Sequence, residues 1–292
     1  MRKKPMLAYP VSDKPIDYDK PVFMQPKLDG VRCLIQSENV EYHEPNTGRL
    51  IKAQAVKAYS RTGKEWKNIY HILYDLVPFF EKHPNVILDG ELYNHDFKDD
   101  FESIISMVRK TKPTDEDRSI SCNNVQFHCY DTIMEHIPYH DRAKFLISNL
   151  RDSYCVRFLP AFSVDCEERA KLYHQENLGA GYEGSILRTN DIYKCGRSWS
   201  LRKFKDFHDA EATIVGFVEG KGKRKGTIGK FIGEDDDGVM FGMPVMDKFK
   251  YLQENFKEMQ TWIGKVATFT YFERTKAGSY RHPLFKAIRD YE

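Results

Sequence analysis

The chain has 292 residues, room for roughly two domains of about 150 residues, each large enough to bury a core without a disulfide or metal staple. An aromatic share of 13% excludes a disordered chain, which lacks the groups that offset the entropy of ordering. With 45 Lys+Arg against 43 Asp+Glu, the formal net charge of +2 excludes a whole-chain field able to hold a polyanion, so any nucleic-acid contact must come from local clusters.

Six cysteines lie at 33, 122, 129, 155, 166 and 195. None forms a Cys-x-x-Cys pair, which argues against structural zinc, and the scattered spacing reads as reduced thiols in a cytoplasmic setting. The basic start, Met1 to Pro10, is not followed by an apolar run of signal-peptide length. No stretch approaches the roughly 20 apolar residues of a membrane span. There is no internal repeat.

In chain order, Pro21 to Pro26 reads as a strand and Val31 to Gln36 as its return partner, because Asp29-Gly30 between apolar runs is a hairpin signal. Val86 to Tyr93 is a further strand. Phe101, Ile104, Ile105 and Val108 recur at helical spacing, which predicts an amphipathic helix over 99–110. Val125 to Ile133 reads as a strand, 141–150 and 165–175 as helices, and Glu183 to Arg188 and Ser200 to Phe207 as strands. The pattern changes near 207. Ala212 to Val218, Gly226 to Gly233 and Gly238 to Phe241 are strand-like with glycine-rich turns. A helix over 246–259 and strands over 265–272 and 283–289 follow. Short strands plus one helix predict a small, partly open barrel of the oligonucleotide-binding type.

The first chemical signal is Lys27-Leu28-Asp29-Gly30-Val31-Arg32. One reading is a hairpin turn flanked by solvated charges. The other is a nucleophilic lysine held rigid at a strand end. An amine must lose its proton to attack, and nearby cations or a metal ion favour that loss. Lys203 and Lys205 offer such cations, and on a strand they share one face. Two adjacent ammonium groups repel each other, and a phosphate between them removes the repulsion. The alternative is an exposed pair on an edge strand. Asp29, Glu91 and Glu183 each stand alone beside apolar residues. A lone buried carboxylate is costly unless it meets a cation or a metal. Mg²⁺ (or Mn²⁺) held by one or two carboxylates plus phosphate oxygens is the usual arrangement in nucleotide chemistry, and Glu183 and Glu91 are the candidate ligands. The alternative is surface charge at strand ends. Lys221, Lys223, Arg224 and Lys225 crowd a glycine-rich loop, read either as a solvated loop or as a grip on DNA phosphates.

In this order, the pieces resemble the covalent nucleotidyltransferase superfamily, specifically ATP-dependent DNA ligases of a minimal two-domain, bacteriophage-like type. The resemblance runs from about residue 22 to the C-terminus. KLDGVR matches the motif whose lysine, Lys27, becomes AMP-linked. Ser60-Arg61-Thr62-Gly63 is similar to the segment whose arginine helps hold the nucleotide and the nick phosphate. LDGELY carries Glu91, expected near the ribose. FHCYDTI carries Tyr130, expected to stack on adenine. YEGSILR carries Glu183, the metal-side carboxylate. Gly196-Arg197-Ser198 resembles the element before the last transferase motif. RKFKDFHDAEATIVGF supplies Lys203 and Lys205 and opens the barrel domain. GSYRHPLFKAIRDYE resembles the closing barrel strands, with Arg281 as a pyrophosphate or DNA contact.

The resemblance implies an α+β fold: an adenylation (nucleotidyltransferase) domain of antiparallel sheets with flanking helices over 1–207, then an OB-fold β-barrel over 208–292. It implies ATP and Mg²⁺ as cofactors and nicked duplex DNA as partner. Lys27 takes AMP from ATP, AMP passes to the 5′-phosphate at a nick, and the 3′-hydroxyl displaces it. Catalysis is then positioning and charge neutralisation by Lys203, Lys205, Arg32 and the metal, with Asp29 near the 3′-hydroxyl or a metal-bound water and a backbone contact to adenine near Gln25. Arg61, Arg32 and Arg197 join the nucleotide site. The reading expects no additional DNA-binding, NAD-recognition, zinc or helix-hairpin-helix module, and a monomer in the cytoplasm, the host's if viral. The competing readings are an RNA ligase or mRNA-capping nucleotidyltransferase, and a non-catalytic nucleic-acid-binding protein with a decayed core.

Overall fold

The computed structural model describes residues 3–98, 100–205, 207–275 and 277–289. Asp99, first residue of the expected 99–110 helix, Asp206 after the Lys-x-Lys pair, and residues 290–292 of the last motif lie outside the described residues. The chain divides into two compact units, Met1–Lys205 and Asp206–Glu292.

In the first unit the elements are β1 (Met6–Pro10), β2 (Val22–Lys27), β3 (Val31–His43), β4 (Leu50–Tyr59), α1 (Tyr70–Asp75), α2 (Val77–Lys82), β5 (Ile87–Tyr93), α3 (Phe101–Val108), α4 (Asp115–Asn124) and β6 (Gln126–Thr132). They continue with α5 (Tyr139–Asn149), β7 (Val156–Phe158), β8 (Phe162–Val164), α6 (Glu167–Gly179), β9 (Gly184–Thr189) and β10 (Gly196–Phe204). Two five-stranded sheets result, ordered β1-β10-β9-β2-β8 and β4-β3-β5-β6-β7. Both are mixed rather than purely antiparallel, since β1 pairs with β10 and β6 with β7 in parallel.

The sheets meet through Met6, Leu34, Ile133, Tyr193 and Leu201. The outer face of the second sheet packs Ile35, Leu88, Leu92 and Phe127 against Ile72, Ile104, Val108 and Leu146 from the helices and Ile69 just before α1. The spacing of Ile104 and Val108 puts both on one side of α3, and Asp100 caps that helix by accepting from the Ser103 N–H. Helix α4 was not expected from its polar sequence. Its start carries a capping box, Thr114 with Asp117, which is a readable signal.

The expected hairpin at Asp29-Gly30 does not form. Strand β2 has both edges taken, by β9 and β8 in the first sheet, whereas β3 pairs with β4 and β5 in the second. The Lys27–Arg32 run is therefore the crossing between sheets. A two-residue Asp-Gly hairpin needs positive φ at both residues, and neither shows it. Leu28 buries instead against Tyr93, Tyr130 and Leu159, pinning the crossing to the second sheet.

The second unit contains β11 (His208–Glu219), β12 (Ile228–Glu234), β13 (Met240–Pro244), α7 (Phe249–Glu254), α8 (Phe256–Gln260), β14 (Val266–Tyr271), β15 (Glu273–Arg274), β16 (Tyr280–Arg281) and β17 (Leu284–Ile288). One sheet runs β13-β12-β11-β14-β17, and its outer strands β13 and β17 touch, as in a partly open barrel. Ile214, Phe231, Met243 and Phe269 fill it, with Leu252 and Met259 from the helices. The single helix expected over 246–259 is broken at Asn255, which is not helical and whose side chain donates to the Tyr251 carbonyl at 2.8 Å. No helix among the described residues is long and apolar enough to cross a membrane.

Candidate active site

Strand pairing builds the centre of the site. Lys27 at the end of β2 lies opposite Gly184 at the start of β9, and the Glu183 N–H donates to the Lys27 carbonyl at 3.0 Å. Gly184 has a φ of +146°, and a Cβ there would fall 2.3 Å from the Phe204 carbonyl oxygen, so only glycine lets β9 start beside β10. Gly30 is required for proximity. A Cβ would sit 2.4 Å from the Leu92 carbonyl oxygen and 2.7 Å from Glu91 Cγ, and this close approach brings the crossing onto β5.

The side chains of Lys27 and Lys205 both donate to the Glu183 carboxylate, one to each oxygen. Glu183 is 6% exposed and Lys27 23%. Burial works to raise the Glu183 carboxyl, but the two ammonium groups outweigh it and hold the carboxyl below the ordinary range. Lys205 lies just past the end of β10. The anion beside it in this structure is the Glu183 carboxylate. Lys203 is partly buried, and desolvation, then the charges of Lys27 and Arg197, lower its pKa.

A cavity of about 230 Å³ adjoins Lys27, just under the usual size of ligand pockets. Gln25, Lys27, Arg32, Arg61, Glu91, Tyr130 and Arg188 are on its wall. Arg32 makes a two-pronged ion pair with buried Asp89, both bonds at 2.6 Å, and so enters the pocket already neutralised. Glu91 faces Arg32 across β3 and β5 and accepts from the Tyr130 hydroxyl at 3.0 Å. Burial pushes the Glu91 carboxyl up to about 7, against the pull of Arg32 and Lys27. Tyr130 has the Arg32 and Arg188 guanidinium groups at 5.1 and 5.3 Å from its ring centre. Arg61 projects from the Ser60–Gly63 turn after β4, and Asp29 is partly buried in the crossing.

Arg197 is not on the cavity wall. It is exposed at the start of β10, donates to the Ala8 carbonyl at 2.8 Å and lies over the Tyr9 ring. A larger cleft of about 700 Å³, bordered by Lys14, Asp17, Trp199 and Arg202, holds none of the candidate catalytic residues. In the second unit Lys221, Lys223 and Lys225 are exposed. Arg224 differs from them, because its guanidinium donates to the Val245 and Asp247 carbonyls at 3.1 and 3.3 Å and ties down the loop. Arg281 is ion-paired with Glu273 and lies over the Phe272 ring.

Sequence reasoning missed the buried charges behind the site. Asp89 also accepts from the Tyr193 hydroxyl at 2.6 Å. Fully buried Asp131, beside Tyr130, accepts from Arg142 and Arg188. The available signal was a charged residue inside an apolar strand in three successive motifs, at Asp89, Asp131 and Arg188.

The sequence profile of the ATP dependent DNA ligase domain matches residues 5–205, and that of the DNA ligase OB-like domain matches residues 219–289. No curated protein matches. A solved Lig E DNA ligase, described as binding DNA with a minimal scaffold, is 22% identical over 99% of this chain and 100% of its own, with a TM-score of 0.73. Pmar-Lig_Pre is 21% identical over 99% of this chain and 68% of its own, with a TM-score of 0.74. The ATP-dependent ligase of bacteriophage T7, solved with ATP, is 18% identical over 98% of each chain, with a TM-score of 0.51. At these identities the structural likenesses speak for the fold. The first profile covers well over half the sequence and every element that builds the Lys27 pocket, and on that ground the chain belongs to the ATP-dependent DNA ligase family.

Proposed function

We propose that the enzyme seals nicks in duplex DNA with AMP carried on Lys27, and the observation that carries this is the Lys27–Glu183–Lys205 cluster, whose Lys27 lines the pocket. The Lys27 amine attacks the α-phosphorus of ATP. An N–P bond forms, the bond to the bridging oxygen breaks, and pyrophosphate departs. The amine proton passes to solvent, because Glu183, held below the ordinary carboxylate range, is a poor base. Glu183 instead orients the lysine. The 5′-phosphate oxygen at a nick then attacks the same phosphorus and releases Lys27. Finally the 3′-hydroxyl attacks the activated 5′-phosphate, AMP leaves, and the phosphodiester is closed.

Lys203 and Lys205 neutralise charge that develops on the phosphates, Glu91 faces the ribose, Tyr130 and Gln25 face the adenine, and Arg61 bridges nucleotide and nick. Arg32 sets the pocket wall from its pair with Asp89. Asp29 lies nearest the 3′-hydroxyl in this scheme. Glu183 and Glu91 are the carboxylates available to a divalent cation. No group of three His, Cys, Asp or Glu side chains converges among the described residues. Carboxylate oxygens of this kind suit Mg²⁺ or Mn²⁺, which would keep water and phosphate oxygens in its shell. When bound, the ion supplies charge neutralisation at the phosphates.

The adenylation domain is placed at 1–207 and the OB-fold domain at 208–292, a division supported by the two compact units and the two separate profile matches. The exposed Lys221, Lys223 and Lys225 grip the DNA backbone, with Arg281 as a further contact, while Arg197 serves the nucleotide. A monomer in the cytoplasm, the host's for a bacteriophage-type enzyme, serving DNA repair, replication or recombination completes the reading.

The test uses α-labelled ATP, Mg²⁺ and a nicked duplex. Transfer of label to the protein, its discharge by pyrophosphate, and joining of DNA in preference to RNA are expected. Labelling by GTP alone, or no joining by a labelled enzyme, overturns the reading.

A further inference from the structure

Gln25 and Arg188 are both almost fully buried, at 1% and 4% exposure, and both border the cavity beside Lys27. Arg188 Nε donates to Gln25 Oε1 at 2.8 Å, and Arg188 Nη1 donates to Asp131 Oδ2 at 2.8 Å. Asp131 is fully buried and receives two further bonds from Arg142, at 2.7 and 3.1 Å. Gln25 Nε2 donates to the Leu159 carbonyl at 2.8 Å.

These partners leave the Gln25 amide one orientation. A guanidinium only donates and a carbonyl only accepts, so Oε1 must face Arg188 and Nε2 must face Leu159. The Nε2 group carries two hydrogens. Among the described residues only the Leu159 carbonyl accepts one, which leaves a second hydrogen uncommitted on a residue that lines the cavity. The arginine is itself held in place by Asp131, which keeps its charge compensated out of water.

We propose that Arg188, braced by Asp131, is a positioning residue for nucleotide selection: it locks Gln25 so that the pocket presents a fixed N–H donor to a ring nitrogen of the base. This deepens the proposed function and rests on its nucleotide pocket. Without Arg188 the amide is free to flip, exchanging donor for acceptor, and the fit to one base loosens.

The experiment measures lysine adenylylation by labelled ATP and GTP in the full chain, as KM and kcat, with folding followed by near-UV circular dichroism. Arg188→Met is expected to raise KM for ATP about two- to tenfold, the equivalent of one hydrogen bond, with kcat within about threefold and a narrowed preference for ATP over GTP. Asp131 keeps Arg142 in that variant. Arg188→Lys restores a cation for Asp131 but, as a point charge, cannot fork to Gln25 as well. It is expected to be as stable as the parent and still show the KM shift. If Arg188→Lys recovers KM and selectivity together with stability, the role is structural and the proposal is wrong. Gln25→Met leaves all three buried charges intact and must show the same shift whether or not the Arg188 variants fold. Parent-like KM and selectivity in Gln25→Met overturn the proposal. A parent that forms no lysine adduct overturns the proposed function itself, whereas a labelled parent with unshifted variants overturns only this inference.

Discussion

Glu91 gives the sharpest quantitative prediction, through Glu91→Gln. Burial raises this carboxyl from an ordinary 4.5 to about 7. The native state therefore binds a proton between pH 4.5 and 7 that the unfolded chain does not. Stability contributed by this group is complete below pH 4.5 and is lost as the pH rises towards 7. A shift of about 2.5 units corresponds to roughly 3.4 kcal/mol at pH 8 as an upper bound, and relaxation and pocket water reduce it to about 1–3 kcal/mol. Glutamine is isosteric, uncharged, and still accepts from the Tyr130 hydroxyl that now reaches Glu91 at 3.0 Å. Glu91→Gln should therefore match the parent within a few tenths of a kcal/mol at pH 4.5 and exceed it by about 1–3 kcal/mol at pH 8. Urea unfolding of the full chain, followed by far-UV circular dichroism and tryptophan fluorescence together, measures both values without ligand. A stability difference that is the same at pH 4.5 and pH 8, or a parent more stable at pH 8, refutes the reasoning.

Three further outcomes are expected. Lys27→Ala should form no AMP adduct yet still join a nick supplied already adenylylated, read on a denaturing gel; retained labelling of a folded variant contradicts the nucleophile. Glu183→Ala leaves the Lys27 and Lys205 ammonium groups facing each other and should lower nick sealing at least tenfold, a barrier increase of about 1.4 kcal/mol or more; an unchanged rate and metal dependence would make the carboxylate merely structural. Replacing Lys221, Lys223 and Lys225 by Gln, with Arg224 left to hold its loop, should flatten the plot of log nick affinity against log salt by up to about 2.7 units, at roughly 0.9 per phosphate contact. Lysine adenylylation should not change in that triple variant, and an unaltered salt slope places the DNA grip elsewhere.

Local order was legible wherever one stretch of chain carries its own instruction. Ile104 and Val108 fix a helix face by spacing alone, and the strands of the barrel domain announce themselves through their glycine-rich turns. The motif residues Lys27, Arg61, Glu91, Tyr130 and Glu183 were also readable, as side-chain types in order, and the structure brings Lys27, Arg61, Glu91 and Tyr130 to one cavity with Glu183 bonded to Lys27. What the chain order does not contain is pairing between distant segments. Asp29-Gly30 reads locally as a hairpin, yet β2 pairs with β8 and β9 and β3 with β4 and β5, and the Lys27–Arg32 run becomes a crossing between sheets. The chemistry follows from that choice. It sets Lys27 against Glu183, 156 positions along the chain, rather than against its own neighbours. The buried pairs of Arg32 with Asp89 and of Arg188 with Asp131 have the same origin: each charge is costly alone, and only the folded sheets bring its counter-charge within hydrogen-bonding distance.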